Sequence, residues 1–357
     1  MSDPKAGFQS GFIYSEELAN FEYSPTHPFK PVRAKLTLDL CRRYDLIERP
    51  WIWLVAPKPL TVETMAEFHD PAYLKMLKDL DSATLASELW PDLLSTKAGD
   101  YLTVDPKILR YGLGTEDNHI FSGMFDYSAL TAGATLIGAK MVAAGEFQVA
   151  FNPVGGFHHA GRDHAEGFCY VNDIAVAIRR MRADGRAARV AVVDLDVHQG
   201  NATAFIFRSD PSVFTFSMHQ ENNYPVKQPG MLDVGLEDGI GDEDYLGLLD
   251  AHLPEVLDAF RPELVVYLAG ADPLAGDQLG GLALTLEGLR KRDDRVIGNC
   301  ARRRIPVAGV LGGGYAQNTQ DTVRVHHATC RVMWESSDNA ECRRPNERRK
   351  AKPDAVG

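Results

Sequence analysis

The stretch RVAVVDLDVH, residues 189–198, decides how the rest of the sequence is read. Its first half is a nearly continuous β-branched run, the pattern of a strand covered on both faces within a parallel sheet. Its second half carries Asp194, Asp196 and His198 at alternate positions. Extended backbone through residue 197 would turn all three side chains to one face. They would then sit at the carboxyl end of a strand, where open α/β sheets hold their ligands. In isolation a D-x-D-x-H run is as readily a solvated strand end. The apolar lead-in argues against that, because buried carboxylates need a cation or several hydrogen bonds.

Working outward, similar short apolar runs occur at residues 51–56 (WIWLVA), 147–152 (FQVAFN), 213–218 (VFTFSM), 264–269 (LVVYLA) and 305–311 (IPVAGVL). Helical periodicity falls between them, at 33–44, 62–78, 127–144, 171–183, 242–260 and 286–303. Strand and helix alternating in this way predict an α/β fold with helices on both faces of the sheet. A length of 357 residues would suit two domains at roughly 150 residues each. The unbroken alternation, with no repeat of its own, instead predicts one catalytic domain over 1–335. From 336 onward the chain reads SSDNAECRRPNERRKAKPDAVG, a basic tail over 336–357 expected to be disordered.

Composition narrows the function. The chain is 45% hydrophobic and 24% charged, which fits a folded protein rather than a disordered one. With 38 Lys and Arg against 49 Asp and Glu, the net charge is −11, so neither nucleic acid nor an anionic membrane is an expected partner. The five cysteines (Cys41, Cys169, Cys300, Cys330 and Cys342) are scattered without a C-x-x-C, which argues for reduced thiols and against a cysteine zinc site. No signal-peptide core and no membrane-length apolar run is found, and a cytoplasmic location is expected.

Three more strand ends carry reactive groups. The run at 264–269 leads into Asp272, which with Asp196 and His198 would give three ligands and one open coordination position. That is the mark of a catalytic rather than a structural metal site, and such a donor set suits Zn²⁺ and Fe²⁺ alike. After 147–152 come Gly155, Gly156 and the pair His158–His159, a glycine turn able to present two imidazoles for proton exchange. The pair His326–His327 lies instead on helical periodicity without a glycine turn and reads as structural or surface. After 305–311 comes Gly312-Gly313-Gly314-Tyr315, whose phenol could donate to a developing oxyanion. Glycine runs alone are usually flexible loops; four strand ends bearing polar groups together are not easily coincidental.

The ordered motifs GGFHHA (155–160), GFCYVND (167–173), DLDVHQGN (194–201), AGADPLAGDQLGG (269–281) and LGGGY (311–315) resemble the zinc-dependent histone deacetylase superfamily. That family includes bacterial acetoin-utilization-type and deacetylase-like proteins. The resemblance implies the arginase/deacetylase fold, three αβα layers around a mostly parallel sheet of about eight strands. It also implies hydrolysis of acylated lysine on a protein or peptide, or of a similar acylated small amine. By the same resemblance Asp196, His198 and Asp272 are the zinc ligands. His159 is the general base that later protonates the amine, and His158, held by Asp194, acts electrostatically. Tyr315 stabilises the oxyanion. Gly167 and Phe168 wall the lysine tunnel, and Arg33, within PVRAKL, lines an internal product channel. Asp194 and Ser217, with nearby carbonyls, are the family's potassium site. Asp117 takes the place of the rim aspartate, although its flanking sequence matches poorly.

Several positions depart from the commonest family pattern. Asn201 stands where many class I members have Asp, as in class II, class IV and many bacterial members. A neutral amide there raises the pKa of His159 less than a carboxylate would. The mouth segment HQENNYPV, 219–226, lacks the usual aromatic loop, and Tyr224 is the candidate substitute. Leu279 replaces the glutamate gatekeeper of some acetylpolyamine amidohydrolases, which favours a lysine-type substrate over that alternative. An arginase-like ureohydrolase would need more carboxylates, and an inactive acyl-lysine reader would not need His159 and Tyr315.

Overall fold

The computed structural model describes residues 9–21, 23, 27–86 and 104–337. Eight strands form one sheet: β1 Ser10–Ile13, β2 Ile52–Val55, β3 Val149–Asn152, β4 Val190–Asp194, β5 Val213–Gln220, β6 Leu232–Leu236, β7 Leu264–Leu268 and β8 Val307–Val310. Their order is β2-β1-β3-β8-β7-β4-β5-β6, and every neighbouring pair is parallel. β3, β8, β7 and β4 are therefore consecutive in the middle of the sheet, with their carboxyl ends side by side.

Helices cover both faces. Arg33–Arg43, Asp242–Phe260, Leu286–Arg302 and Thr319–Ser337 pack on one another, while Pro71–Ala86, Met124–Ala144 and Asp173–Ala183 form the other group. The central strands β3, β4, β7 and β8 are buried at every residue, which explains their continuous apolar pattern. None of the described helices is long and apolar enough to cross a membrane.

The α/β expectation holds, with corrections at element ends. The sheet is wholly parallel. β4 stops at Asp194 instead of running to residue 197, so alternation along a strand is not what gathers Asp194, Asp196 and His198. The helix expected over 62–78 is two, Val62–Met65 and Pro71–Ala86. Asp70 accepts from the backbone N–H of Ala72 at 2.7 Å and caps the second helix, whose first residue is proline. A residue preceding proline is also disfavoured in helical backbone, so the Asp70–Pro71 step breaks the periodicity. β1 and β6 were not anticipated: the first is four residues long, and the second is half-exposed at the sheet edge. The last helix reaches Ser337, just past the expected start of the basic tail, and 338–357 lie outside the described residues.

The helix Met124–Ala144 comes close to the chain following β2. Leu60 N–H donates to the Ala129 carbonyl at 3.0 Å, and a Cβ added at Gly133 would lie 1.9 Å from the Lys58 carbonyl oxygen. Gly133→Ala should gain about 1 kcal/mol of helix propensity and lose more to the backbone clash. The expected outcome is a net loss of roughly 1–2 kcal/mol, read as a lower urea midpoint; a midpoint at or above wild type would disprove the close approach.

Candidate active site

Each of the four central strands ends in a turn held by a buried side chain. After β4, the Asp196 N–H donates to Asp194 Oδ1 at 3.2 Å and the His198 N–H to Asp196 Oδ1 at 3.0 Å. These side-chain-to-backbone turns, not extended alternation, aim the residues. Asp272, after β7, accepts the Val197 N–H at 3.0 Å, and Asp196 Oδ2 accepts the Gly313 N–H at 2.6 Å from the loop after β8. Three strand ends are thereby laced together through two carboxylates.

The result is a buried cluster in which Asp196, His198 and Asp272 each offer a ligand atom within 4.8 Å of the others. His198 Nδ1 lies 3.2 Å from Asp196 Oδ1 and 3.2 Å from Asp272 Oδ2. Burial opposes charge on that imidazole, yet hydrogen bonds to both carboxylates push its pKa up to about 10. Burial and the neighbouring Asp196 raise Asp272 to about 7. Among the described residues no Lys or Arg side chain pairs with either carboxylate. Two buried anions sharing one imidazole form a site short of positive charge, and the oxygen and nitrogen donors fit a divalent metal. Asp194 faces away from this cluster, toward His158.

The histidine pair follows β3. Asp173, at the start of helix Asp173–Ala183, accepts the Gly156 N–H at 3.0 Å and the Phe157 N–H at 2.8 Å, pinning the turn that presents the imidazoles. Gly156 has φ 105°, and a Cβ there would meet the Gly312 backbone at 2.6 Å, so glycine is required. His158 Nδ1 is 2.7 Å from Asp194 Oδ2, His159 Nδ1 is 2.8 Å from Asn201 Oδ1, and the two Nε2 atoms are 3.0 Å apart. Burial works against a charge on His158, but the Asp194 carboxylate outweighs it and raises the pKa. Burial and the charge of His158 hold His159 well below the ordinary histidine value. His158 is therefore suited to carry the positive charge and His159 to remain a neutral base.

Tyr315 is buried after β8, with its backbone N–H donating to Asp277 Oδ2 at 2.6 Å; Asp277 Oδ1 accepts from Leu279 N–H at 2.9 Å. A pocket of about 240 Å³ brings together His159, His198 and Tyr315 with all five expected substrate residues: Gly167, Phe168, Leu279, Tyr224 and Asp117. Asn223, which the sequence did not single out, also lines it. Gly167 and Phe168 both have left-handed backbone, φ 51° and 68°, and the Phe168 ring stands 5.5 Å from that of Tyr315. Ser217 lies opposite Asp194 in the β4–β5 register, with its Oγ 2.9 Å from His219 Nδ1. His326 is fully buried and His327 half-buried on the last helix, away from the cluster, as the helical periodicity predicts.

Arg33 is buried, and its guanidinium donates to the carbonyls of Gly312 and Gly314, at 3.1 Å for the latter. It clamps the glycine loop that delivers Tyr315. Four other supporting residues carry no sequence motif as single positions. Asp173, Asp277 and Glu166 each fix a loop, and Arg292 donates to the carbonyls of Leu195 and Gly270 at 3.3 and 2.6 Å, tying the ends of β4 and β7. Asp293 neutralises Arg292 at 2.9 Å. Asp173 and Asp277 fall inside quoted motifs, so their presence was visible but their role was not. Arg292 sits within helix Leu286–Arg302, and only packing reveals where it reaches.

The histone deacetylase domain family matches residues 27–331. The chain belongs to the histone deacetylase family. It is similar to histone deacetylase 8 of Xenopus tropicalis, 34% identical over 300 residues, covering 80% of this chain and 74% of the relative. It is also similar to histone deacetylase clr6 of Schizosaccharomyces pombe, 30% identical over 316 residues, covering 85% and 72%. An uncharacterized protein of Picosynechococcus is 46% identical over 206 residues, covering 57% and 68%. The family match spans all four strand ends of the site.

Removing the Arg33 clamp leaves two buried carbonyls without a donor, each worth about 1–3 kcal/mol. Arg33→Met should therefore lower unfolding stability by at least about 2 kcal/mol in urea melts; wild-type stability would rule out a structural role for the clamp.

Proposed function

We propose that this protein is a metal-dependent amidohydrolase that removes acetyl or other acyl groups from lysine side chains, acting through one catalytic domain over 1–335. The observation that carries the reading is a small pocket lined at once by His159, His198 and Tyr315. Its volume of about 240 Å³ suits a small amide on an aliphatic amine, and His159, His198 and Tyr315 supply polar groups for that amide. Family membership supports a deacetylase hydrolase.

Asp196, His198 and Asp272 would hold Zn²⁺ or Fe²⁺, which when bound polarises an amide carbonyl and acidifies water. His159, kept neutral, takes the proton of the attacking water at Nε2, in place of its present contact with His158. His158, charged and held by Asp194, favours the negative charge developing nearby. The Tyr315 hydroxyl donates to the oxyanion. His159 then returns its proton to the leaving amine, so that amide and water become carboxylic acid and amine, which part as carboxylate and ammonium. Asp194 and Ser217 would hold K⁺ behind the histidine pair. Leu279 on the pocket wall favours acyl-lysine; Asp117 and the nearby Glu166 carboxylate also suit a cationic polyamine, which makes acetylpolyamines the comparison substrate.

Zinc-loaded protein should hydrolyse acetyl-lysine peptides faster than acetylpolyamines, and higher turnover of polyamines would reverse the substrate assignment. His159→Ala should lower kcat by about 10²–10⁴-fold, and Tyr315→Phe by about 10²–10³-fold. Full activity in both would refute the mechanism. Metal analysis should find one divalent ion per chain, lost in Asp196→Ala and Asp272→Ala; undiminished metal in both variants would put the ion elsewhere.

A further inference from the structure

Glu166 holds one residue of the pocket wall, Tyr224, and one partner of His159, Asn201. Asn201 Nδ2 donates to Glu166 Oε1 at 3.1 Å, and the Tyr224 hydroxyl donates to the same oxygen at 3.0 Å. Its other oxygen lies 3.6 Å from His164 Nε2. The backbone of Glu166 is itself fixed, exchanging hydrogen bonds with Cys169 at 3.1 and 2.9 Å across the tight turn of Gly167 and Phe168. Burial opposes its charge, but hydrogen bonds from His164, Tyr224 and Asn201 prevail and lower its pKa, so it is a carboxylate at neutral pH.

We infer that Glu166 is a positioning residue that sets which way the Asn201 amide faces, and through it the hydrogen-bond polarity of His159. A carboxylate only accepts, so it must meet the amino end of the Asn201 amide. The amide oxygen is then left to face His159 Nδ1, which must carry the N–H. Asp194 does the same from the far side, accepting from His158 Nδ1. A carboxyl group thus stands at each end of a chain of two imidazoles and one amide, with Glu166 setting the Asn201 end. With both ends fixed, the single proton between the Nε2 atoms is the only one free to move. It belongs to His158, leaving His159 with a lone pair at Nε2.

This arrangement explains why position 201 holds an amide. A carboxylate there would face Glu166 at about 3 Å with no cation between them, which favours neither charged form. The same Glu166 oxygen holds the Tyr224 phenol, whose ring stands 5.3 Å from that of His159, so the pocket wall and the base share one anchor.

The catalytic consequence rests on His159 acting as base in the proposed hydrolysis; the polarity itself does not. Both are tested by comparing zinc-loaded wild type, Glu166→Gln, Asn201→Asp and the double variant for kcat, KM and thermal midpoint. Glu166→Gln keeps an acceptor and should lose no more than about tenfold in kcat. Asn201→Asp alone should lose about 100-fold in kcat and several degrees of thermal midpoint, about 3 °C or more. In the Glu166→Gln background the same change should cost at least about tenfold less in kcat and leave the midpoint unchanged. Equal cost in both backgrounds, in rate and in midpoint, overturns the inference. If wild type cleaves no acyl amide, the proposed hydrolysis fails while the midpoint cycle still decides this point. Should Asn201→Asp not fold, ¹⁵N spectra of the His159 ring decide instead: mixed tautomers in Glu166→Ala support the inference, and an unchanged Nδ1–H form overturns it.

Discussion

Asp196 and Asp272 are two carboxylates buried side by side at neighbouring strand ends, with a single imidazole between them. Removing such charges from water costs several kcal/mol each unless compensated, and the surrounding structure is arranged around that cost. Backbone N–H groups of Val197, His198 and Gly313 point at the carboxylate oxygens. The buried guanidinium of Arg292 gives its protons to carbonyls, and its charge is taken up by Asp293. Among the described residues no Lys or Arg is spent on the pair, and His198 alone faces both carboxylates, a donor set that could hold a metal. Of the donor set, His198 lines the pocket, where Tyr315 and His159 also stand.

Acidic residues outside the cluster do a second kind of work. Asp173 holds the turn before the histidines, Asp277 holds Tyr315 and the Leu279 turn, and Glu166 holds Asn201 and Tyr224. Each accepts hydrogen bonds that a loop at a strand end would otherwise leave unmade. The net charge of −11 thus has an internal component, carboxylates that shape loops and a buried pair that could hold a metal, beside whatever it contributes at the surface. Arg33 is the complement, a buried donor whose partners are the carbonyls of the glycine loop.

The strand ends were legible because buried parallel strands write themselves as uninterrupted apolar runs, and a polar residue directly after such a run stands out. That logic found Asp196, His198, Asp272, the histidine pair and Tyr315 from residue pattern alone. It misjudged how Asp194, Asp196 and His198 are arranged: Asp194 ends β4, and side-chain turns rather than strand alternation aim Asp196 and His198. The edge strands were harder to see. β6 is half-exposed and β1 short, so neither carries a distinctive period. The substrate residues entered through resemblance rather than through physics, since nothing in the residues 117, 167, 224 and 279 signals that they share a wall.

The amino-acid sequence by itself determined the α/β alternation, the positions of the reactive groups after their strands and the shortage of partners for the buried carboxylates. These are local properties, set by periodicity and by what lies within a few residues. Only the tertiary structure decided the strand order, which makes β3, β8, β7 and β4 neighbours and turns four separate loops into one site. It also decided the long-range hydrogen bonds from Glu166, Arg33 and Arg292, because partners separated by tens to hundreds of residues leave no period to read. Those contacts fix orientation and polarity, which the identity of the residues alone leaves open.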